Sequence, residues 1–311
     1  MISSDSFPAR PSAFELSGRI VLLAADGSEG SAGALQVALA LASEHQAVVH
    51  VVHVVDTRSA PIPPPLDLLI AMGDAVGGSA VHDEQKRELR AALSLKAGRE
   101  IDWPVEILMG NPANTIVHEA HRLGAALIVV GLRRHGTVDR ALNDETAHKV
   151  MERADCPVLG IVAGMTTLPT RVLVAVDFSA TSLLAAHAAR AVAGHDAHVA
   201  LAYVAPMSVT VPDDGERLLH TLGLEAAFAR MIAELADDAI HLDHVVLHRQ
   251  KPRDPAEIVL EYAESVGSDL IAAGSARHGR LDRWLLGSVS TAIVHDGRWS
   301  VLIVPPPRDA P

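Results

Sequence analysis

Cysteine is almost absent: Cys156 is the only one in 311 residues. That excludes a disulfide framework and any zinc site built on paired thiolates. Aromatic residues make up 3% of the chain, so its cores must be assembled mainly from Ala, Val, Leu and Ile. Such cores are ordinary in α/β proteins with buried parallel strands. No apolar run approaches the roughly 18 residues of a membrane span, and Met1 to Gly18 lacks the basic start and apolar stretch of a signal peptide. Positive charge is also short, with a formal net charge of −12. A nucleic-acid or anionic-membrane binder would carry a basic patch or stripe, so neither partner is expected. A soluble cytoplasmic protein is the expectation. No Walker-type, metalloprotease or Ser-His-Asp spacing appears, and Gly30-Ser-Ala-Gly33 falls short of the dinucleotide glycine pattern.

What the chain does have is a segment that occurs twice. Arg134-His135-Gly136-x-x-Asp139-Arg140 returns as Arg277-His278-Gly279-x-x-Asp282-Arg283, each behind an apolar run ending in glycine, Gly131 and Gly274. Upstream, Val21-Leu-Leu-Ala-Ala-Asp26-Gly-Ser28 matches Val172-Leu-Val-Ala-Val-Asp177-Phe-Ser179. Offsets of 151 residues between the aspartates and 143 between the glycines make the repeated unit a whole domain. The expected division is a lead at 1–18, a first domain at 19–165, a linker at 166–170, a second domain at 171–305 and a tail at 306–311.

Apolar runs predict buried strands near 19–25, 47–55, 104–109, 126–131 and 157–162, with helices near 30–44, 79–98, 112–123 and 141–154 between them. The second half repeats the order, with strands near 171–176, 197–205, 243–248, 269–274 and 300–304 and helices near 180–193, 215–239, 254–265 and 287–296. Alternating strands and helices imply right-handed βαβ units. The predicted fold is α/β: two tandem, open, parallel five-stranded sheets with helices on both faces, Rossmann-like in type. Proline-rich insertions after the second strand of each half read as loops.

In such sheets ligands bind beyond the carboxyl ends of the strands, where the strand order reverses. Asp26 and Asp177 end the first strands and could accept hydrogen bonds from a ribose hydroxyl or a base amine. Equally, either could cap the helix that follows. After the fourth strand of the second half runs Gly274-Ser-Ala-Arg277-His-Gly279-Arg-Leu-Asp-Arg-Trp-Leu-Leu-Gly287-Ser288-Val-Ser290. Here a glycine-rich loop returns to a helix opening at Gly287-Ser288. Glycines let backbone amides approach phosphate oxygens, and the helix N-terminus adds its positive dipole end. Ser288 and Ser290 could donate to phosphate or cap the helix. His135 and His278 share these loops and could contact phosphate. The other histidines, His195, His198, His241, His244 and His248 among them, read as surface residues rather than zinc ligands.

At these residues the chain resembles the universal stress protein family in its tandem two-domain form. The family's nucleotide signature is Gly, two residues, Gly, nine residues, then Gly followed by Ser or Thr. Gly274, Gly287 and Ser288 match it in spacing, and Cys156-Pro-Val-Leu resembles the entry to a fifth strand. The resemblance implies that Asp177 and Val204 frame adenine, as Asp26 and Val54 would in the first half. It also implies that the loop glycines and Ser288 hold the triphosphate of ATP, commonly with Mg2+. Arg277 stands where the signature has its second glycine; Gly279 could take over that turn while Arg277 supplies charge to phosphate. In the first half Asp144-Glu145 replaces Gly287-Ser288, setting two carboxylates against a triphosphate, so that site is expected to be degenerate. Acids there would complement the dipole of a first helical turn. The resemblance further implies an internal pseudo-dimer edged by the fifth strands, and leaves room for a dimer of chains.

The leading functional expectation is an ATP-binding stress-response regulator whose second domain senses nucleotide, with slow or no hydrolysis. A nucleotide-free interaction scaffold, with protein partners unknown, is the alternative. An adenylating enzyme ranks third, because no site for a second substrate is visible.

Overall fold

The computed structural model describes residues 14–57, 78–132, 140–206, 214–235, 240–249, 253–275 and 287–307. They divide into two compact units, one of Leu16–Thr167 and one built from the remainder. The proline-rich insertions, most of both Arg-His-Gly loops and the extreme ends fall outside the described residues.

In the first unit β1 (Ile20–Ala24) leads through a 3-10 turn (Glu29–Ser31) into α1 (Ala32–Glu44). Then follow β2 (Val48–Asp56), α2 (Gly78–Ala97), β3 (Val105–Gly110), α3 (Pro112–Leu123), β4 (Leu127–Leu132), α4 (Arg140–Arg153) and β5 (Val158–Val162). The strands are parallel in the order β3-β2-β1-β4-β5. Successive strands step outward from β1 to β3 and then return to its other side at β4. Ala24, at the end of β1, therefore lies between Val52 and Val130, where a crevice opens beyond the strand ends.

The second unit repeats the plan. It comprises β6 (Arg171–Ala175), α5 (Ala180–Val192), β7 (His198–Ala205), α6 (Asp214–Leu235), β8 (His241–His248), α7 (Pro255–Ser265), β9 (Leu270–Gly274), α8 (Ser288–Asp296) and β10 (Ser300–Val304). Its order is β8-β7-β6-β9-β10, again all parallel. The switch point lies between β6 and β9.

The cores are as aliphatic as the composition requires. Val21, Leu22 and Leu23 of β1 and Leu173 and Val174 of β6 are fully buried. Ala185, Ala186, Ala188 and Ala189 line the inner face of α5 without exposure. Short side chains there let the helix lie close on the sheet, so dispersion contacts replace the bulk that aromatics would bring. Local chemistry sets the helix starts. Asn111 accepts from the Asn114 N–H with Pro112 at the first helical position of α3, and Asp254 does the same for Ala256 ahead of Pro255 in α7. Gly124 and Gly297 end α3 and α8 at φ of +63° and +68°, where a β-carbon would be strained.

The segment expected as a linker is tied to the second unit at its C-terminal end. Leu168 is buried, and the Asp269 carboxylate accepts from the Thr170 N–H at 2.9 Å and the Arg171 N–H at 3.0 Å. One expectation needs correction. Helix α4 begins at Arg140, so Asp144 and Glu145 lie in its second turn rather than its first. They do not meet the positive end of the dipole.

Candidate functional site

Asp177 and Ser179 divide the two roles that the sequence left open. Ser179 is the N-cap of α5: its hydroxyl oxygen accepts from the Ser182 N–H at 3.2 Å, and the Ser182 hydroxyl donates back to the Ser179 carbonyl at 3.0 Å. Asp177 closes the turn before it, one carboxylate oxygen accepting from the Ser179 N–H at 3.0 Å. The carboxylate is exposed at the crevice. Val204, half-buried and paired with Leu247, extends β7 past the end of β6 on the same side.

Between them stand two residues that the sequence reading passed over. Phe178 adopts φ +63°, where the first unit has Gly27 at +71°. Its ring lies 5.1 Å from that of Tyr203 and 5.0 Å from that of Phe228, which is 4.3 Å from the His244 imidazole. Burial, reinforced by the Asp177 charge, raises the Tyr203 phenol above its ordinary range. The left-handed backbone at Phe178 costs roughly 1 kcal/mol, offset by the aromatic packing it permits. The signal that could have found this cluster is scarcity: two of the chain's four Phe and one of its two Tyr meet here.

Gly274 organises the other wall. A β-carbon on it would stand 2.7 Å from Thr181 Cγ2 and 3.1 Å from the Thr181 carbonyl carbon, so the first turn of α5 already occupies its open side. The Gly274 carbonyl accepts from the Ser290 hydroxyl at 2.8 Å, and Ser290 is 2% exposed. Ser290 is thus spent tethering α8 to β9. Helix α8 opens on Gly287, whose extended backbone (φ −60°, ψ 163°) brings no side-chain cap. Ser288 is exposed at the first helical position. The structure therefore gathers Asp177, Val204, Gly274, Gly287 and Ser288 at one strand-end crevice, and sets Ser290 beneath it. Arg277 and Gly279 lie outside the described residues.

The first unit keeps the frame and changes the loop-and-helix end of the crevice. Asp26 accepts from the Ser28 N–H at 2.9 Å. Partial desolvation raises its pKa, but hydrogen bonds from the Ser28 turn outweigh this and hold the carboxyl below the usual range. Gly131 is closed more tightly than Gly274: a β-carbon would sit 2.3 Å from the Gly30 carbonyl oxygen. Aligned on these glycines, Ser288 corresponds to Glu145 and Ser290 to Ala147, so the tether is missing. Because α4 starts at Arg140, the N–H groups of Asp144 and Glu145 are already within the i to i−4 ladder. Glu145 pairs with Lys149 one turn on. At the ends of β1, β2 and β4 lies a cavity of about 210 Å³. Val52, Val54, Val130 and Ile116 give it apolar walls, and Asp26 and Asp56 stand among its polar lining.

The histidines of the second unit do not converge. His241 lies on the opposite face of β8 from His244 and His248, as strand alternation dictates. Among the described residues no group of three or more His, Cys, Asp or Glu is placed to hold a metal ion, and no described helix is long and apolar enough to cross a membrane.

Comparison with known proteins agrees with the duplicated plan. The model of the universal stress protein family matches twice, over residues 18–161 and 169–305. The universal stress protein Mb2019 of Mycobacterium bovis is 30% identical over 240 residues, covering 74% of this chain and 73% of its own. Rv2005c of Mycobacterium tuberculosis is 27% identical over 266 residues, covering 82% of this chain and 85% of its own. A universal stress protein structure from Archaeoglobus fulgidus superposes with a TM-score of 0.61 at 20% identity, over 92% of this chain and 98% of that one. With both halves of the chain matched, and each built on the same switch-point crevice, the protein belongs to the universal stress protein family.

Proposed function

We propose that the second unit holds an adenine nucleotide, ATP with Mg2+, and that the protein serves in the cytoplasm as a nucleotide-responsive regulator of a stress response. The observation that carries this reading is the start of α8. A helix opening on a bare glycine cap, tethered by Ser290 to the end of β9, presents amide donors and a positive dipole end at the crevice that Asp177 borders. The residues present fit the ligand. Asp177 and Val204 suit the base, the α8 amides and the Ser288 hydroxyl suit the phosphates, and Arg277 would add charge. Mg2+ usually keeps several waters and leans on substrate phosphates, so it needs no all-protein cage. No general base is assigned, and hydrolysis is slow or absent.

The first unit serves as a structural or partner-docking copy, because the residue matching Ser288 is Glu145, which lies inside α4 with its N–H taken up by the helix. A nucleotide-free scaffold is the second reading, favoured by Arg277 in place of a signature glycine. The deciding measurement is the nucleotide released by denaturing the purified chain, identified by mass, together with titration of Mg-ATP. About one nucleotide per chain is expected. Asp177→Ala and Ser288→Glu should each weaken binding at least tenfold, while Asp26→Ala leaves it unchanged. An empty chain that ignores added Mg-ATP selects the scaffold, and equal losses from Asp26→Ala overturn the asymmetry.

A further inference from the structure

Helix α5 serves two places at once: its first turn walls the second-unit crevice, and its middle carries a buried group that the crevice does not use. Ser179 caps the helix, the Ser182 hydroxyl oxygen accepts from the Asp177 N–H at 3.4 Å, and Thr181 fills the open side of Gly274. Two turns on stands His187. It is 3% exposed, and among the described residues neither ring nitrogen has a hydrogen-bond partner. Buried polar side chains are ordinarily paired, so this one calls for a reason.

The first unit shows the same position tied down. Its Ser28–Ser31 turn is closed by the hydroxyl-to-carbonyl bond that closes Ser179–Ser182, which sets Gln36 of α1 against His187 of α5. Gln36 Nε2 donates at 2.9 Å to the carbonyl of Lys96, one residue before the end of α2. His187 has no such bond. The charges acting on its ring are Arg190, one turn further along α5, and Glu234, one residue before the end of α6. Around α5 lie β6, β7, β9, β10 and α6. Strands β9 and β10 carry no titratable residue. Arg171 of β6, His198 and Tyr203 of β7, and Glu225 and Arg230 of α6 do not act on the ring.

A proton alters that balance. The charged imidazole has two donors and no lone pair, and in this groove it would meet no acceptor and lose its hydration. Burial, with Arg190 adding to it and Glu234 opposing, keeps the ring neutral until the pH falls below the ordinary histidine value of 6.5. Below that, protonation favours arrangements in which the ring leaves the groove. Helix α5 is continuous over 13 residues, and Ser179 lies roughly 12 Å from His187 at 1.5 Å per residue. A helix displaced at His187 therefore carries Ser179 and Thr181 with it.

We propose that His187 is a proton-operated release for the second-unit crevice: charging the ring unseats α5 from α6, and the crevice lets go of its ligand. This rests on the reading of that crevice as the nucleotide site, and it makes proton and nucleotide antagonists, each weakening the other.

The test compares the Mg-ATP affinity of the full chain at about pH 7.5 and about pH 5.5 with that of two variants. His187→Gln installs the first unit's residue, and His187→Leu fills the space without a titrating group. Titration of ATP's own phosphates enters all three chains alike. On acidification the parent should lose about fivefold or more in affinity beyond the loss seen in the variants. Hydrogen exchange of the nucleotide-free chain reads the helix directly. Relative to β1 in the same sample, protection at the start of α5 and in β9 should fall at the lower pH in the parent and hold in the variants. Melting at the higher pH establishes that each variant is folded, and either variant suffices as the reference. Protection unchanged in the parent, or a loss of affinity no larger than the variants', overturns the proposal. A chain that binds no Mg-ATP even at the higher pH counts against the function proposed above, and hydrogen exchange then decides this one.

Discussion

Gly131 and Gly274 close the same gap in the two units against different neighbours, and the difference is measurable. An alanine at 274 would press on the Thr181 methyl at 2.7 Å and on its backbone at 3.1 Å, whereas an alanine at 131 would press on the Gly30 carbonyl oxygen at 2.3 Å. Overpacking of this kind costs about 1–3 kcal/mol. Gly131→Ala should destabilise its unit toward the upper end of that range and Gly274→Ala toward the lower, measured by denaturant melts. Equal costs would mean that the neighbouring backbone yields as readily as a side chain. Phe178 offers a second comparison. At φ +63° a β-carbon is strained, so Phe178→Gly should be less damaging than Phe178→Ala by about 1 kcal/mol although it removes more atoms. The reverse order would assign the cost of either change to lost aromatic packing alone.

Most helices and strands were legible because buried parallel strands are unbroken apolar runs, such as Val172-Leu-Val-Ala-Val, set between capping residues. β8 starts at His241 rather than at 243 because His241 and Leu242 pair with His198 and Val199 at an edge strand where polar and apolar residues mix, which an apolar run does not mark. The start of α4 was read to within one residue, 141 against Arg140, and that one residue moves Asp144 from the first turn to the second. The aromatic cluster was hidden because Phe178, Tyr203, Phe228 and His244 come from one turn, two strands and a helix. Packing of α5 hides a further group, His187. It is 3% exposed, and neither ring nitrogen has a hydrogen-bond partner. Burial, with Arg190 adding to it and Glu234 opposing, lowers its pKa. Native His187 therefore stays neutral where the unfolded chain takes up a proton, so stability should fall as pH drops below about 6.5, the ordinary histidine value, and level off beneath the lowered native one. His187→Leu should flatten that part of the melting-temperature profile relative to the parent. Parallel profiles would show that the proton is accommodated without cost.

At the scale of the whole chain, duplication preserved the plan, and the proposed reading assigns nucleotide to one copy. Saturating a site at 100 times its Kd adds about 2.7 kcal/mol to the state that binds. With Mg-ATP, hydrogen exchange should slow across β6, the start of α5, β9 and α8, leaving β1 and β4 as they were; protection in both units would contradict the assigned asymmetry. The frame of each site could be read from the repeated Asp and Gly. The expected difference between them was also legible, in Asp144-Glu145 against Gly287-Ser288. The glycine near the end of β4 and of β9 answers to packing before it answers to any ligand. Selection for stability alone is enough to retain it, and a descendant can shed its nucleotide and still carry half of the signature. On the proposed reading, Gly131 followed by Asp144 and Glu145 is that condition within a single chain. A motif search weighted on the strand-end glycine counts the first unit as a nucleotide binder, and one weighted on the helix cap does not.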